Sequence, residues 1–333
     1  MMRKYMGYFD SSNGVNSIAY YIAAPKSKPR CIVQLAHGMC ENALLYKRFM
    51  HYLASRGCVV CANDFLGHGR SVRDCDDVGF FAPQNGWRCI IRDMKKLTEL
   101  VSEKFPDLPV ILVGHSMGSF AAREYLTWYG EALAGCVLVG TSDGFDSRKL
   151  LKLLAQSLCL YENGRYHAPL ILKMGCGLFS TKTLQKSLGY RVIYTLGRDT
   201  DWEWLTRDEY VQDLMKRHSF DYTARAYCDI ITLLDVISAP DWAYSIPSDL
   251  PLLLMSGSCD AVGDCGKGVA RLYKRLCNAG CKNVRVRLYS GARHMLLHET
   301  NRPRVYGDLY KWIDMILRQH GNNYAAQPER QGE

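Results

Sequence analysis

One stretch of five residues constrains this chain more than any other: Gly114-His115-Ser116-Met117-Gly118. It joins the apolar run Val110-Ile111-Leu112-Val113 to Phe120-Ala121-Ala122-Arg123-Glu124-Tyr125, which has helical character. A strand that becomes a helix in so few residues must turn sharply, with the central serine in a strained backbone conformation. Gly114 and Gly118 remove the Cβ atoms that would collide where strand and helix approach. Ser116 Oγ is then expected at the C-terminal edge of a sheet, beside a helix N-terminus that favours developing negative charge.

The rest of the chain supplies that sheet. Residues 4–12 and 16–24 alternate weakly about Asn13-Gly14, the favoured dipeptide of a two-residue hairpin. After residue 30, short apolar runs alternate with amphipathic stretches of helical length. Cys31–Ala36, Cys58–Ala62, Val110–Val113, Cys136–Val139, Leu252–Met255 and Val284–Tyr289 read as strands, the last half-buried. Residues 43–55, 87–104, 117–129, 267–279 and 302–318 read as helices. This predicts an α/β fold, with a mostly parallel eight-stranded sheet flanked by helices. The alternation stops between Thr141 and Pro251, where Leu150–Ala155, Pro169–Leu172, Trp202, Trp204 and Trp242 mark an apolar, mostly helical insertion. A long insertion without strands in a compact domain is usually functional, so it reads as a lid. The expected division is 1–142 and 250–319 for the two halves of one core, 143–249 for the helical cap, and 320–333 for a flexible tail.

A serine hydroxyl needs a base. His294 follows the strand Val284–Tyr289 and the turn Ser290-Gly291-Ala292-Arg293, which puts it on the edge expected of Ser116. His298 is the rival and reads as a residue on the face of the next helix. The base needs an acid to orient it and to stabilise its protonated form. Asp260 ends the run that begins at Leu252; Asp264 is its local rival, and Asp249 lies at the wrong end of the strand. Val33-Gln34-Leu35-Ala36-His37-Gly38-Met39 is a strand running into a tight turn at Gly38. The backbone N–H groups of Met39 and Met117 are therefore expected to face the reacting carbonyl, each donor contributing about 3–4 kcal/mol to the tetrahedral intermediate. His37 and His115 read as structural histidines.

Composition narrows the alternatives. The 14 cysteines in 333 residues are too few for a disulfide framework. Cys58 and Cys61 stand three apart on a strand and point to opposite faces, and Cys277 and Cys281 have no matching second pair. No metal or cofactor is expected. The N-terminus lacks the apolar core of a secretory signal and no run is long enough to span a membrane, which places the expected protein in the cytoplasm. The net charge is +9, and residues 271–304 hold nine Lys and Arg against Glu299 alone. That patch predicts attraction to anionic lipid surfaces that fades with salt. No nucleic-acid recognition motif accompanies it.

Five motifs, in this order, carry a family resemblance: His37-Gly38-Met39 with Glu41; Asn63-Asp64-Phe65-Leu66-Gly67-His68-Gly69-Arg70-Ser71; Gly114-His115-Ser116-Met117-Gly118-Ser119; Ser256-Gly257-Ser258-Cys259-Asp260-Ala261-Val262-Gly263; and Gly291-Ala292-Arg293-His294. The chain resembles α/β-hydrolases of the monoacylglycerol lipase and lysophospholipase type, also described as serine aminopeptidase-like. The family usually carries a histidine where this chain has Phe65. The resemblance implies that Ser116, Asp260 and His294 form a triad, and that Met39 and Met117 supply the oxyanion N–H groups. It implies a serine hydrolase cleaving esters of single-chain lipids through an acyl-enzyme. The insertion matches only through Trp204-Leu205-Thr206-Arg207-Asp208.

Other readings keep the fold and change the reaction. An aminopeptidase would need an acidic recess for the substrate amine, for which Asp199, Asp201, Glu203, Asp208, Glu209 and Asp213 are candidates. An acyltransferase or a short-chain carboxylesterase would use the same three residues. A non-catalytic binding protein on this scaffold would not need all three positions filled.

Overall fold

The computed structural model describes residues 2–143, 153, 155–159, 162–168 and 202–325. Eight strands form one sheet: β1 (Arg3–Asp10), β2 (Ser17–Ala24), β3 (Cys31–Ala36), β4 (Cys58–Asn63), β5 (Val110–His115), β6 (Gly135–Val139), β7 (Leu252–Gly257) and β8 (Val284–Tyr289). Their spatial order is β1-β2-β4-β3-β5-β6-β7-β8. β2 runs antiparallel to both of its neighbours, and every pairing from β4 to β8 is parallel. The seven helices are α1 (Lys47–Ala54), α2 (Gly86–Lys104), α3 (Met117–Tyr129), α4 (Glu209–His218), α5 (Ala224–Ile237), α6 (Lys267–Asn278) and α7 (Arg302–Ala325), counted among the described residues.

The central strands are buried on both faces, which is why they read as continuous Val, Ile, Leu and Cys runs rather than as alternations. Successive residues still choose opposite sides. Val59 and Cys61 of β4 join the core formed with α2, α3, α5 and α6, while Cys58 and Val60 join the one formed with α1 and α7. The Cys58/Cys61 pair is therefore split by the sheet, as its spacing predicts. Each fully buried Val, Leu or Ile is worth roughly 1.5–3 kcal/mol relative to exposure.

Three expectations need correction. The N-terminal hairpin is not closed by a two-residue turn: Asp10 pairs with Ser17, and Asn13 Oδ1 accepts the N–H groups of Val15 and Asn16 inside the longer loop. β8 is not half-buried but mostly exposed, because it ends the sheet and pairs only with β7. α5 packs against α2 and α3, and Ile230, Ile231, Leu234 and Ile237 lie in the main core. Finally, α7 continues to Ala325, past the helix end expected at 318. The runs at 150–152, at 154 and at 169–172 lie outside the described residues.

Two buried polar side chains fasten α5. Arg123 of α3 donates to the carbonyls of Ser142 (2.6 Å) and Ile237 (2.7 Å) and lies over the Trp242 ring. Asp229 of α5 sits at the start of α2, where a Cβ on Gly86 would fall 2.7 Å from Asp229 Oδ2. Asn85, the N-cap residue of that helix, contributes no side-chain bond. Burial pushes the Asp229 carboxyl up to about 7.

Candidate active site

Ser116 lies between the last residue of β5 and the first of α3, with φ 52° and ψ −121°. A non-glycine residue at positive φ stores strain that the surroundings must hold in place. They do so at both ends. Ser116 N–H donates to Val139 O (2.9 Å), and Ser116 O accepts from Ser119 N–H, Ser119 Oγ and Phe120 N–H. A Cβ at Gly114 would fall 2.4 Å from Gly118 O, and one at Gly118 would fall 2.2 Å from Ala36 O. The two glycines are required by this close approach.

The three side chains expected from the sequence meet here. His294 Nε2 lies 2.8 Å from Ser116 Oγ, and His294 Nδ1 lies 2.9 Å from Asp260 Oδ1. Asp260 also accepts from Ser256 Oγ (2.8 Å) and Val262 N–H (2.9 Å). Burial alone would raise the Asp260 carboxyl. The His294 ring and the Ser256 hydroxyl outweigh it and hold the group below its usual range. Space for the imidazole comes from Gly140 after β6, where a Cβ would lie 3.0 Å from His294 Cε1. The rivals are engaged elsewhere. Asp264 pairs with Arg271 and Asp249 with Lys282. His298 lies in the short 3-10 helix Leu296–His298, where it is buried, and burial pushes it down to about 4.

Met39 follows β3 by three residues, and Met117 follows Ser116 as the first residue of α3. Met117 opens α3, and its N–H is among those a helix leaves unbonded at its N-terminus. The β3 loop is fixed around Gly38. Gly38 N–H donates to Glu41 Oε2 (2.7 Å), and Gly38 O accepts from His37 Nδ1 (2.8 Å). Phe65 N–H donates to His37 Nε2 (2.9 Å), so His37 is neutral, consistent with burial lowering its pKa. Gly38 has no positive φ; a Cβ there would meet the Glu41 carboxylate at 2.9 Å. Glycine is needed for that contact rather than for the turn.

Beneath the site lies a buried network whose pairing the sequence did not reveal. Tyr46 O–H donates to Glu41, and His115 Nδ1 approaches Tyr46 Oη at 2.7 Å and Glu41 Oε2 at 3.4 Å. Burial would lower the His115 ring, but the Glu41 charge, the bond to Glu41 and the bond to the His294 carbonyl together outweigh it and raise the ring above its ordinary value. Burial would raise Glu41, but the His115 charge and hydrogen bond, the His298 ring and the Tyr46 hydroxyl together hold it well below its own range. His115 Nε2 donates to the carbonyl of His294 (3.2 Å).

The basic patch is weaker than its window implied. Arg271, Arg275, Lys282, Arg287 and Arg302 pair with Asp264, Asp143, Asp249, Asp308 and Asp208. All five acids lie outside residues 271–304. Among the described residues, Lys274, Arg285 and Arg304 have no ion-pair partner. No helix of the described residues is long and apolar enough to cross a membrane.

A serine raised on a strand–helix turn, with histidine and aspartate delivered from later strands of a mostly parallel sheet, defines an α/β-hydrolase. Residues 27–301 match the family described as serine aminopeptidase, S33, and the chain belongs to it. It is 26% identical over 305 residues to a monoglyceride lipase of Mus musculus, covering 88% of this chain and 86% of that protein. Among solved structures it resembles a thermostable carboxyl esterase from Bacillus coagulans in complex with glycerol. That TM-score is 0.84 at 26% identity, over 95% of this chain and 100% of the esterase. A soluble variant of the monoglyceride lipase from Saccharomyces cerevisiae shares the fold, with TM-score 0.70 at 18% identity over 94% of both chains.

Proposed function

We propose that this protein is a serine hydrolase that cleaves carboxylic esters of monoacylglycerol-type lipids through an acyl-enzyme on Ser116. The observation that carries this reading is the continuous path from Ser116 Oγ through His294 to Asp260, at 2.8 and 2.9 Å. Ser116 Oγ attacks the ester carbonyl while His294 Nε2 takes its proton. The carbonyl oxygen becomes an oxyanion facing the N–H groups of Met39 and Met117. Collapse breaks the bond to the alcohol, which leaves with the proton from His294. Water then attacks the acyl-enzyme by the same roles in reverse. Asp260, kept ionised, orients the ring and stabilises its cation.

The lipid substrate is supported by a relative named monoglyceride lipase that matches almost end to end. The acyl chain would add about 0.8 kcal/mol for each CH₂ it buries. Lysophospholipids differ only in head group and stay within the same reading. An amine-binding recess, the requirement of a peptidase, finds less support. Asp208 is paired with Arg302, and Asp213 with Arg217. Glu203, whose Oε2 has no partner among the described residues, and Glu209, which has no ion pair among them, remain for that role. Asp199 and Asp201 lie outside those residues.

Turnover of monoacylglycerol, lysophosphatidylcholine, p-nitrophenyl esters of two to sixteen carbons and aminoacyl-anilides separates the readings. We expect the long-chain esters to be preferred. Preference for the anilides would overturn the lipid reading, and activity confined to the shortest esters would leave a small-ester esterase. We place the protein in a reducing, cytoplasmic setting, in which the thirteen described cysteines stay as thiols.

A further inference from the structure

Trp204 lies on His294. The indole and imidazole centroids are 5.5 Å apart with the planes inclined by 27°, an offset stack. Trp204 comes from the chain between β6 and β7, outside the five motifs that shape the rest of the site. Its contact with His294 is clamped on both sides. Met295 N–H donates to Leu205 O (2.6 Å), and Arg293 Nη1 donates to the carbonyls of Glu203 and Thr206. The Glu299 carboxylate is fully buried and closes the clamp. It accepts the backbone N–H groups of Arg293 (2.9 Å) and Arg207 (3.2 Å), and Arg207 Nε (3.0 Å). Leu205 and Met295 pack in one apolar cluster with Val211, Met215 and the rim of Trp204. The loop that carries the candidate base and the segment that carries the indole are thus one hydrogen-bonded unit.

An indole face is the best aromatic partner for a cation, and the attraction grows where water is excluded. In the acylation step His294 becomes a cation as it takes the serine's proton, so the stack strengthens as the transition state is approached. The other groups facing the ring are Asp260, after β7, and His115, whose ring centroid is 5.1 Å away with Glu41 behind it. Glu203 and Arg293 flank the stack on the insertion side. His115 repels the imidazolium, while Asp260 and the indole attract it.

We infer that Trp204 is a positioning residue for His294, holding the imidazole against Ser116 and stabilising the imidazolium formed during ester cleavage. This rests on the triad reading above. The test compares Trp204→Phe, which keeps an aromatic face, with Trp204→Leu, which keeps only apolar cover. The readouts are kcat, KM and the pH dependence of kcat on a p-nitrophenyl ester, together with fluorophosphonate labelling of the wild type.

The Leu variant should lose about three- to tenfold more kcat than the Phe variant. Its KM should stay within about twofold of wild type, and its acid limb should move to lower pH as the imidazolium loses support. Equal losses in the two variants, or an unchanged acid limb in the Leu variant, would overturn the inference. Trp204→Met replaces the Leu variant if the latter does not fold. A wild type that resists the fluorophosphonate would instead sink the triad reading itself.

Discussion

His115 Nε2 lies 3.2 Å from the carbonyl oxygen of His294. The residue before the candidate nucleophile thus supports the loop of the candidate base, although 178 residues separate the two catalytic side chains. On its other nitrogen, His115 meets Tyr46 and Glu41, and Glu41 holds Gly38 N–H. One buried ion pair therefore connects the serine turn, the loop of Met39 and the His294 loop. Breaking it should disturb all three together.

Glu41→Gln tests that connection. The variant keeps the side chain's shape but leaves His115 without a counter-charge. Removing one partner of a buried pair costs about 3–5 kcal/mol of stability. A displacement of about 1 Å at reacting groups costs up to about 100-fold in rate. We expect a lower melting temperature and a 10- to 100-fold fall in kcat with KM little changed, measured on a p-nitrophenyl ester near pH 7. A wild-type kcat would dissociate the network from catalysis.

Asp260→Asn should leave the fold intact and lower kcat by about 10⁴, because an amide can donate to Nδ1 and favour the wrong tautomer of His294. Its Oδ1 position faces both His294 Nδ1 and Val262 N–H. A loss of less than tenfold, with the melting temperature preserved, would move the acid's role elsewhere.

Asp229 gives the stability of this protein a pH dependence. Its carboxyl is pushed by burial from 3.8 up to about 7. The folded state therefore binds the proton more tightly than the unfolded one. The stabilisation is complete below about pH 4 and is lost as pH rises through about 7. Asp229→Asn removes this loss, so the free-energy difference between variant and wild type should shift in the variant's favour by about 2–4 kcal/mol from pH 5 to pH 9. Urea denaturation at a series of pH values measures it; parallel curves would contradict the assignment.

The sheet was legible because its central strands are uninterrupted apolar runs, and the strand ends fell within two residues of the observed ones. Ser116 and Asp260 were legible because each follows such a run, and His294 because it follows the alternating strand Val284–Tyr289, so the parallel topology carries all three to one edge. Glu41, Tyr46 and His115 were not read as a unit. A buried pairing between residues 41 and 115 leaves no periodic trace. Trp204 was visible as part of a matching segment, yet its stack on His294 depends on how the insertion folds back. The basic window misled for a related reason, since Asp143, Asp208, Asp249, Asp264 and Asp308 neutralise it from outside. The six-residue loop after β1 escaped notice because Asn13-Gly14 also serves a loop built on the Asn13 side chain.

The remaining positive charge sets an expectation for lipid surfaces. Lys274, Arg285 and Arg304 are the exposed members of the patch without an ion-pair partner among the described residues, and each exposed basic residue contributes about 1 kcal/mol near an anionic membrane. Co-sedimentation with phosphatidylserine vesicles should be weak at low ionic strength and abolished near 0.15 M salt, roughly where the Debye length reaches 8 Å. Binding that persists in high salt would point to an apolar anchor instead of the patch.

The central claim is that Ser116 is a nucleophile activated by His294. Its most direct measurement is the mass of the intact protein, and of the peptide containing residue 116, after exposure to a fluorophosphonate. One phosphonyl adduct should form, confined to Ser116, absent from the Ser116→Ala variant and accompanied by complete loss of esterase activity. A folded protein that remains unmodified, or that carries the adduct on another residue while Ser116→Ala keeps its activity, would contradict the account.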